Sequence, residues 1–188
     1  RLRAKPGANQ LILDAGEHGW PKLDVLASVA QGRRLRVSGQ PELAQYELES
    51  ALEAAEAIDE PGLMAQARRE LGDLFLGIGR LEEGATYVRQ ALFGFVDLGD
   101  SASQAKCWQS LGELTKESGD HEEAATLLSK AADLFEASGH RWGRASALNS
   151  LGDTLRHMGR LQESEELYRQ AAGVFRAEDA GVPEKISE

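Results

Sequence analysis

The sequence has one cysteine, no long apolar run and no phosphate-binding or zinc-binding motif. The single cysteine, Cys107, excludes an internal disulfide and is typical of a reducing compartment, so we expect a cytoplasmic protein. No apolar run approaches the ~18 residues that a membrane-spanning helix needs, so we expect no contact with a membrane. No GxxxxGK[ST] phosphate loop is present, and His121-Glu122-Glu123 lacks the second histidine of an HExxH zinc site.

Basic charge is also scarce. The net charge is -10, divided into +4 over residues 1–40 and -14 over residues 41–188. An acidic chain attracts polyanions poorly, so we expect no nucleic-acid binding by this segment. Arg33, Arg34 and Arg36 form the only basic cluster, which we interpret as a solvated helix face or a contact to an acidic neighbouring domain.

Groups that could carry out catalysis are not brought together by the sequence pattern. The four histidines are scattered and expected on the surface, and acidic pairs such as Glu165-Glu166 lie on the outer faces of predicted helices. Catalysis requires mutually positioned groups. We therefore predict that the chain is not an enzyme and that it has no catalytic residue, no metal site and no cofactor.

What the sequence does contain is a 40-residue period. Three kinds of small residue recur in one register, and a fixed period of this length indicates a repeat array. The three series are Gly32, Gly72, Gly112 and Gly152; Gly39, Gly79, Gly119 and Gly159; and Ala51, Ala91, Ala131 and Ala171.

Each period predicts two helices of about 16–18 residues, because apolar positions recur at helical spacing in both halves. The glycines at 39, 79, 119 and 159 should end helices. Pro41 and Pro61 should lie in first turns, and Asp100 and Asp120 should cap helix N-termini. The predicted partition is a lead-in or linker at 1–22, a divergent repeat 1 at 23–60, repeats 2 to 4 at 61–100, 101–140 and 141–180, and a tail or the start of a further repeat at 181–188.

Glycine inside a helix costs about 0.8–1 kcal/mol relative to alanine, so the glycines at 32, 72, 112 and 152 need a structural reason. We expect each to lie against the alanine at the matching depth of the next helix, so that small residues allow close approach. In the first helix of repeat 1, the apolar positions expected to mark the packed side are Leu23, Leu26, Ala27, Ala30 and Leu35.

The Leu-Gly pairs, the Phe75 or Leu155 that follows four residues later, and the subsequent Gly, Ala and Leu or Tyr positions resemble the tetratricopeptide repeat (TPR) superfamily over residues 25–180. The usual unit has 34 residues. The 40-residue unit resembles the long form found in STAND-type ATPases, maltose-activator-like regulators, kinesin light chains and Leu-Gly-Asn-type adaptors. The resemblance implies an all-α fold, a right-handed α-α superhelix (α-solenoid) of four helix–turn–helix repeats with a concave groove.

In this family the first helix of each repeat lines the groove. The resemblance therefore implies partner-binding side chains at Arg69, Asp73, Leu76, Lys106, Gln109, Glu113, Lys116, Asn149, Asp153 and Arg156. Asp73, Glu113 and Asp153 would form an acidic ladder, which favours a partner with basic or amide-rich character; the alternative is a solvated helix face. The paired Lys/Asn positions of the chaperone-type carboxylate groove are missing.

The resemblance implies a non-catalytic scaffold that binds a protein or peptide in its concave groove. The alternative is a sensor or autoinhibitory arm of a larger signalling ATPase or transcriptional regulator. No amphipathic helix follows repeat 4 to cover its outer face, which predicts further repeats or self-association through the C-terminal repeat.

Overall fold

The computed structural model describes residues 21–179, which form eight α-helices and no strand. A helix begins every 20 residues, and each has 17 residues except the last, which has 19. The predicted lead-in up to Trp20 and the predicted tail at 181–188 lie outside the described residues. The helices are α1 Pro21–Val37, α2 Pro41–Ala57, α3 Pro61–Gly77, α4 Leu81–Asp97, α5 Ser101–Glu117, α6 His121–Ala137, α7 Arg141–His157 and α8 Leu161–Asp179.

None of these eight helices combines the length and the apolarity that crossing a membrane requires.

Within residues 21–179, three-residue turns join consecutive helices, and the middle residue of each of the seven turns has a positive φ. At Gly79 φ is 81°, and the N–H of Arg80 donates to the carbonyl of Phe75 at 2.8 Å, the long hydrogen bond of a Schellman cap. The predicted ends at 39, 79, 119 and 159 are confirmed, and Gly99 and Gly139 adopt the same conformation. Asp59 also has a positive φ, of 51°, although it is not a glycine.

Helix starts follow the predicted capping rules. Oδ1 of Asp100 accepts from the N–H of Ser103 and Oδ1 of Asp120 accepts from that of Glu123, both at 3.0 Å, so both predicted caps are confirmed. Burial pushes the pKa of Asp100 upward, but the hydrogen bonds from Ser103 and Ala102 and the charge of Lys106 together lower the pKa overall. His140 caps α7 in the same way, since its Nδ1 accepts from the N–H of Gly143 at 3.0 Å. The sequence pattern predicts only a surface position for His140 and gives no sign of this cap.

The chain divides into two compact units at the junction of Gly99 and Asp100. In unit 1, α1 packs against α2 and α3, α2 packs against α3, and α3 packs against α4. In unit 2, α5 packs against α6 and α7, α6 packs against α7, and α7 packs against α8. Each unit is therefore two stacked helix pairs in which the first helices of the pairs also touch each other.

The helix glycines lie against large residues and not against the alanines that we expected. A Cβ added to each glycine would lie 2.9 Å or less from a side chain located 16 residues later. The side chain 16 residues later occupies the space that the missing Cβ of each glycine leaves, so each contact joins a large side chain to a glycine. The four pairs are Gly32 with Leu48, Gly72 with Val88, Gly112 with Leu128, and Gly152 with Tyr168.

This pairing also corrects the predicted register of α1. Leu23 and Leu26 are 54% and 40% exposed, whereas Val25 and Val29 are buried. Gly32 must face Leu48, and a helix has only one rotation that achieves this. That rotation buries the residues seven and three positions earlier, which are Val25 and Val29.

We predict that Gly72→Ala lowers the free energy of unfolding by about 1–3 kcal/mol. The new Cβ would lie 2.5 Å from Cγ2 of Val88, 3.0 Å from its backbone N and 3.1 Å from the carbonyl O of Gly84. Two of these neighbours are backbone atoms, so side-chain rotation cannot relieve the clash. Urea denaturation followed by circular dichroism measures the change.

Gly77→Ala is the matched control, because it lies on the same helix and its added Cβ would meet nothing within 4 Å. The better helix propensity of alanine should leave stability unchanged or raise it by up to about 1 kcal/mol. Equal effects at the two positions would contradict the packing argument.

Candidate partner-binding site

All ten predicted partner-binding residues lie on first helices of the pairs, namely α3, α5 and α7. None is buried: Asn149 and Arg156 are exposed, and the other eight are half-buried. We call the side of each unit that carries them its first-helix face. In unit 1 it comprises Arg33, Arg36, Arg69, Glu70, Asp73 and Leu76; in unit 2 it comprises Lys106, Gln109, Glu113, Lys116, Ser146, Asn149, Ser150, Asp153 and Arg156.

On the first-helix face of unit 2, a hydrogen-bond network joins α5 to α7. Nε2 of Gln109 donates to Oε1 of Glu113 at 3.0 Å and to Oγ of Ser146 at 2.9 Å. The hydroxyl of Ser150 donates to the same Glu113 oxygen at 2.8 Å. Both donors to Glu113 reach Oε1, and the second oxygen, Oε2, accepts neither bond.

Asp153 likewise receives its internal contacts on one of its two carboxylate oxygens. The hydroxyl of Tyr168 donates to Oδ1 of Asp153 at 2.6 Å, and Nη2 of Arg156 lies 3.5 Å from the same oxygen. The Tyr168 hydrogen bond is the main reason that the pKa of Asp153 is lowered; it outweighs the opposing effect of burial, and the charges of Lys116 and Arg156 add to it. Asp153 is therefore anionic at neutral pH.

The first-helix face of unit 1 has a different chemistry, built around a buried carboxylate. The side chain of Glu70 is only 1% exposed. Nε of Arg33 donates to its Oε1 at 2.8 Å, Arg69 donates to the same oxygen, and Nη2 of Arg36 lies 3.5 Å from Oε2. Arg69 also donates to Oδ2 of Asp73 at 2.7 Å.

Sequence reasoning missed this cluster. The basic cluster of Arg33, Arg34 and Arg36 was interpreted as a solvated helix face or a contact to a neighbouring domain, whereas Arg33 and Arg36 contact Glu70 of α3. A signal was present in the spacing. Three side-chain hydrogen bonds between first helices join residues 37 positions apart, which is one repeat minus about one helical turn: Arg33 with Glu70, Gln109 with Ser146, and Glu113 with Ser150.

The three acids of the predicted ladder each contact groups of their own unit. Asp73 contacts Arg69, Glu113 contacts Gln109 and Ser150, and Asp153 contacts Tyr168 and Arg156. These acids are therefore ordered parts of the face and not isolated solvated charges. Their role in binding a partner stays a prediction.

A second concave region lies on another side of unit 2, between α6 and α8. This open groove of about 870 Å³ has Leu151 and Leu155 of α7 in its lining, together with Lys130 and Arg160 among its charged residues. None of the ten predicted residues lines it. Two of the charged groups there already have internal contacts, since Lys130 lies over the ring of Trp108 and Arg160 pairs with Glu163.

Residues 21–179 contain no group of three or more His, Cys, Asp or Glu side chains that could hold a metal ion. His121 and His157 stack with their ring centroids 5.3 Å apart. Cys107 is fully buried in α5.

Two family models described as tetratricopeptide repeat match the chain, one over residues 29–103 and the other over residues 99–177. Together they cover nearly all of the eight helices. No curated protein matches the sequence significantly.

Solved structures show the same fold at low sequence identity. BtubC (BKLC) from P. vanneervenii has a TM-score of 0.71 and 19% identity, over 89% of this chain and 69% of that chain. MamA has a TM-score of 0.59 and 16% identity, over 84% and 81%. A putative kinesin light chain from Podosopora anserina with nearly identical TPR-like repeats has a TM-score of 0.52 and 16% identity, over 82% and 96%. The predicted fold class, all-α with TPR-like helix–turn–helix repeats, is confirmed; the assignment to the long form stays a prediction.

We predict that Glu70→Gln lowers the free energy of unfolding by about 1–3 kcal/mol. Removing the carboxylate of a buried ion pair leaves its partners uncompensated, and the cost is reduced here because Arg33 and Arg36 keep contact with water. Chemical denaturation measures it. Glu56→Gln is the control: its pair with Arg68 is largely exposed, so its effect should stay within about 0.5 kcal/mol. Similar losses in both variants would show that burial of Glu70 has no energetic role.

We predict that Tyr168→Phe raises the pKa of Asp153, because the ring remains against Gly152 and the hydroxyl that donates to Oδ1 is lost. A carboxyl pKa that is lowered by folding contributes stability above the ordinary value of about 4, and the contribution is lost as pH falls through the folded-state pKa. As the pH falls from about 4 through the folded-state pKa of Asp153, the free energy of unfolding should therefore decrease more in the wild type than in the variant. NMR titration of the carboxyl carbons measures the pKa, with Asp100 as the internal reference that should not move.

Proposed function

The chain belongs to the tetratricopeptide repeat superfamily, and on that basis we propose that it is a non-catalytic scaffold that binds a protein or peptide segment on its first-helix faces. Members of the superfamily generally mediate protein interactions. In this proposal the binding side chains are the ten that the sequence analysis named: Arg69, Asp73, Leu76, Lys106, Gln109, Glu113, Lys116, Asn149, Asp153 and Arg156.

The observation that carries the proposal is the order of the polar face of unit 2. Gln109 and Glu113 of α5 are hydrogen-bonded to Ser146 and Ser150 of α7, so several side chains are held in one arrangement without a partner. A surface that is ordered in advance loses less conformational entropy when it binds.

The same hydrogen bonds favour a partner that supplies donors. Glu113 receives its internal bonds on Oε1, and Asp153 receives its internal contacts on Oδ1. Oε2 of Glu113 and Oδ2 of Asp153 take none of these bonds and can accept N–H groups from a partner. Lys, Arg, Asn and Gln side chains provide such donors, which agrees with a basic or amide-rich segment.

The sensor or autoinhibitory role within a larger signalling ATPase or transcriptional regulator stays an alternative proposal. It needs a further domain in the same polypeptide, and no contact within residues 21–179 favours it over the scaffold role. Self-association through the C-terminal repeat also stays a proposal, which sedimentation analysis of the intact protein tests.

We predict that the double variant Glu113→Gln with Asp153→Asn weakens the binding of a fluorescein-labelled peptide of alternating lysine and asparagine by about tenfold or more. Each substitution replaces a charge-assisted hydrogen bond with a neutral one, and about 1.4 kcal/mol of lost binding energy is a tenfold change in Kd. Fluorescence anisotropy measures the affinity.

Glu122→Gln is the control, since it removes an exposed acidic charge from α6, outside the first-helix face. It should change the affinity by less than about threefold, because exposed charges act weakly at a distance. Circular dichroism checks that all variants stay folded. Unchanged binding in the double variant would refute this face as the binding surface for such a partner.

A further inference from the structure

The buried carboxylate of Glu70 has more cationic partners than it can neutralise. Three guanidinium groups surround it, those of Arg33, Arg36 and Arg69, and Arg69 is also paired with a second acid, Asp73. These five side chains carry a net charge of +1. Arg69 is shared between two carboxylates, so Arg33 and Arg36 are the two cations that depend on Glu70 alone.

What this cluster presents to solvent is cationic. The side chain of Glu70 is 1% exposed, whereas those of Arg33 and Arg36 are 53% and 30% exposed. The acid thus lies beneath and the guanidinium groups lie above it. This is a local reversal, because residues 41–188 carry a net charge of -14 and the whole chain carries -10.

Glu70 contacts the two arginines differently, Arg33 through a hydrogen bond and Arg36 through an ion pair. Arg33 uses Nε for its 2.8 Å bond, which leaves its two terminal nitrogens outside that contact. Nε of Arg36 is buried and has no hydrogen-bond acceptor, and Oε2 of Glu70 likewise receives no hydrogen bond. Two buried polar atoms of the cluster therefore have no hydrogen-bond partner. The guanidinium plane of Arg33, with both terminal nitrogens outside the Glu70 contact, matches a carboxylate in a two-bond geometry, and Arg36 adds a second positive charge beside it.

We propose that Arg33 and Arg36, positioned by Glu70, bind carboxylate side chains of an acidic peptide segment on the first-helix face of unit 1. The proposal deepens the proposed function and rests on it. It differs in chemistry from unit 2, where Glu113 and Asp153 accept hydrogen bonds from a partner. The partner segment that reaches unit 1 carries Asp or Glu.

A peptide fits the surroundings better than a nucleic acid does. Leu26 is 40% exposed and lies seven residues before Arg33 on α1, which is the same side of the helix, so apolar side chains of a peptide find a contact there. A nucleic acid would bring a continuous row of phosphates against a chain that is acidic beyond residue 40, and that repulsion opposes binding.

The test uses the full chain and two fluorescein-labelled probes, an oligo-glutamate peptide and an oligo-glutamine peptide of the same length. Fluorescence anisotropy should show binding of the glutamate probe that weakens as salt is raised, and little binding of the glutamine probe. Arg33→Gln combined with Arg36→Gln should weaken glutamate binding by about tenfold or more, because two charge-assisted contacts are lost. The double variant Arg33→Lys with Arg36→Lys should bind the glutamate probe with an affinity between those of the wild type and the glutamine double variant. Lysine keeps the positive charge but lacks the planar guanidinium that makes two parallel hydrogen bonds to one carboxylate.

Arg34→Gln is the matched control. It removes one positive charge from the same turn of α1, but Arg34 donates to Gln31 at 2.6 Å and not to Glu70. Its effect should stay below about threefold. A loss equal to that of the single variants Arg33→Gln and Arg36→Gln would show general attraction between charges and would overturn the proposal.

Other outcomes also overturn it. They are equal binding of the two probes, no binding of the glutamate probe, and displacement of the glutamate probe by single-stranded DNA at equal charge concentration. None of these touches the proposed function, which stands or falls with the Glu113 and Asp153 variants on unit 2. Loss of binding in those variants with no glutamate binding on unit 1 would leave the scaffold role intact and remove this inference alone.

Discussion

The structure depends on the contact between a glycine in one helix and a large side chain in the next. At Gly72 a Cβ would lie 2.5 Å from the side chain of Val88 and 3.0 Å from its backbone N, so any side chain at this position would push the two helices apart. The absence of the Cβ allows the two helices of a pair to approach closely. Because the contact fixes the rotation of each helix about its axis, it also fixes which residues are buried and which form the first-helix face.

Equivalent positions of the repeats carry different charged side chains. In unit 1, position 33 is an arginine that bonds to the buried Glu70 of α3. One repeat of 40 residues separates position 73 from 113 and 113 from 153, and all three are acids. In unit 2 the acids Glu113 and Asp153 are held by hydroxyl and amide donors, so that face presents oxygens. The packing rule stays constant while the outward side chains vary, which allows one fold to serve different partners.

These contacts favour a binding role because they order polar side chains on surfaces that the core does not need. The network of Gln109, Glu113, Ser146 and Ser150 joins two first helices that also touch each other. Similarity to BtubC, MamA and a putative kinesin light chain establishes the fold at 16–19% identity and says nothing about the partner. The chemistry of the partner has to come from the side chains of this chain.

The sequence by itself determined the fold class, the helix ends and two of the caps. These features are local: glycine past a helix end, proline in a first turn and aspartate at an N-cap each act on residues within a few positions. Only the tertiary structure decided the rotation of α1, the residue facing each glycine and the partners of Glu70, Glu113 and Asp153. Those outcomes depend on contacts 16 or 37 residues apart, and a periodic pattern gives the spacing of such positions but not which side chain occupies the gap between two helices.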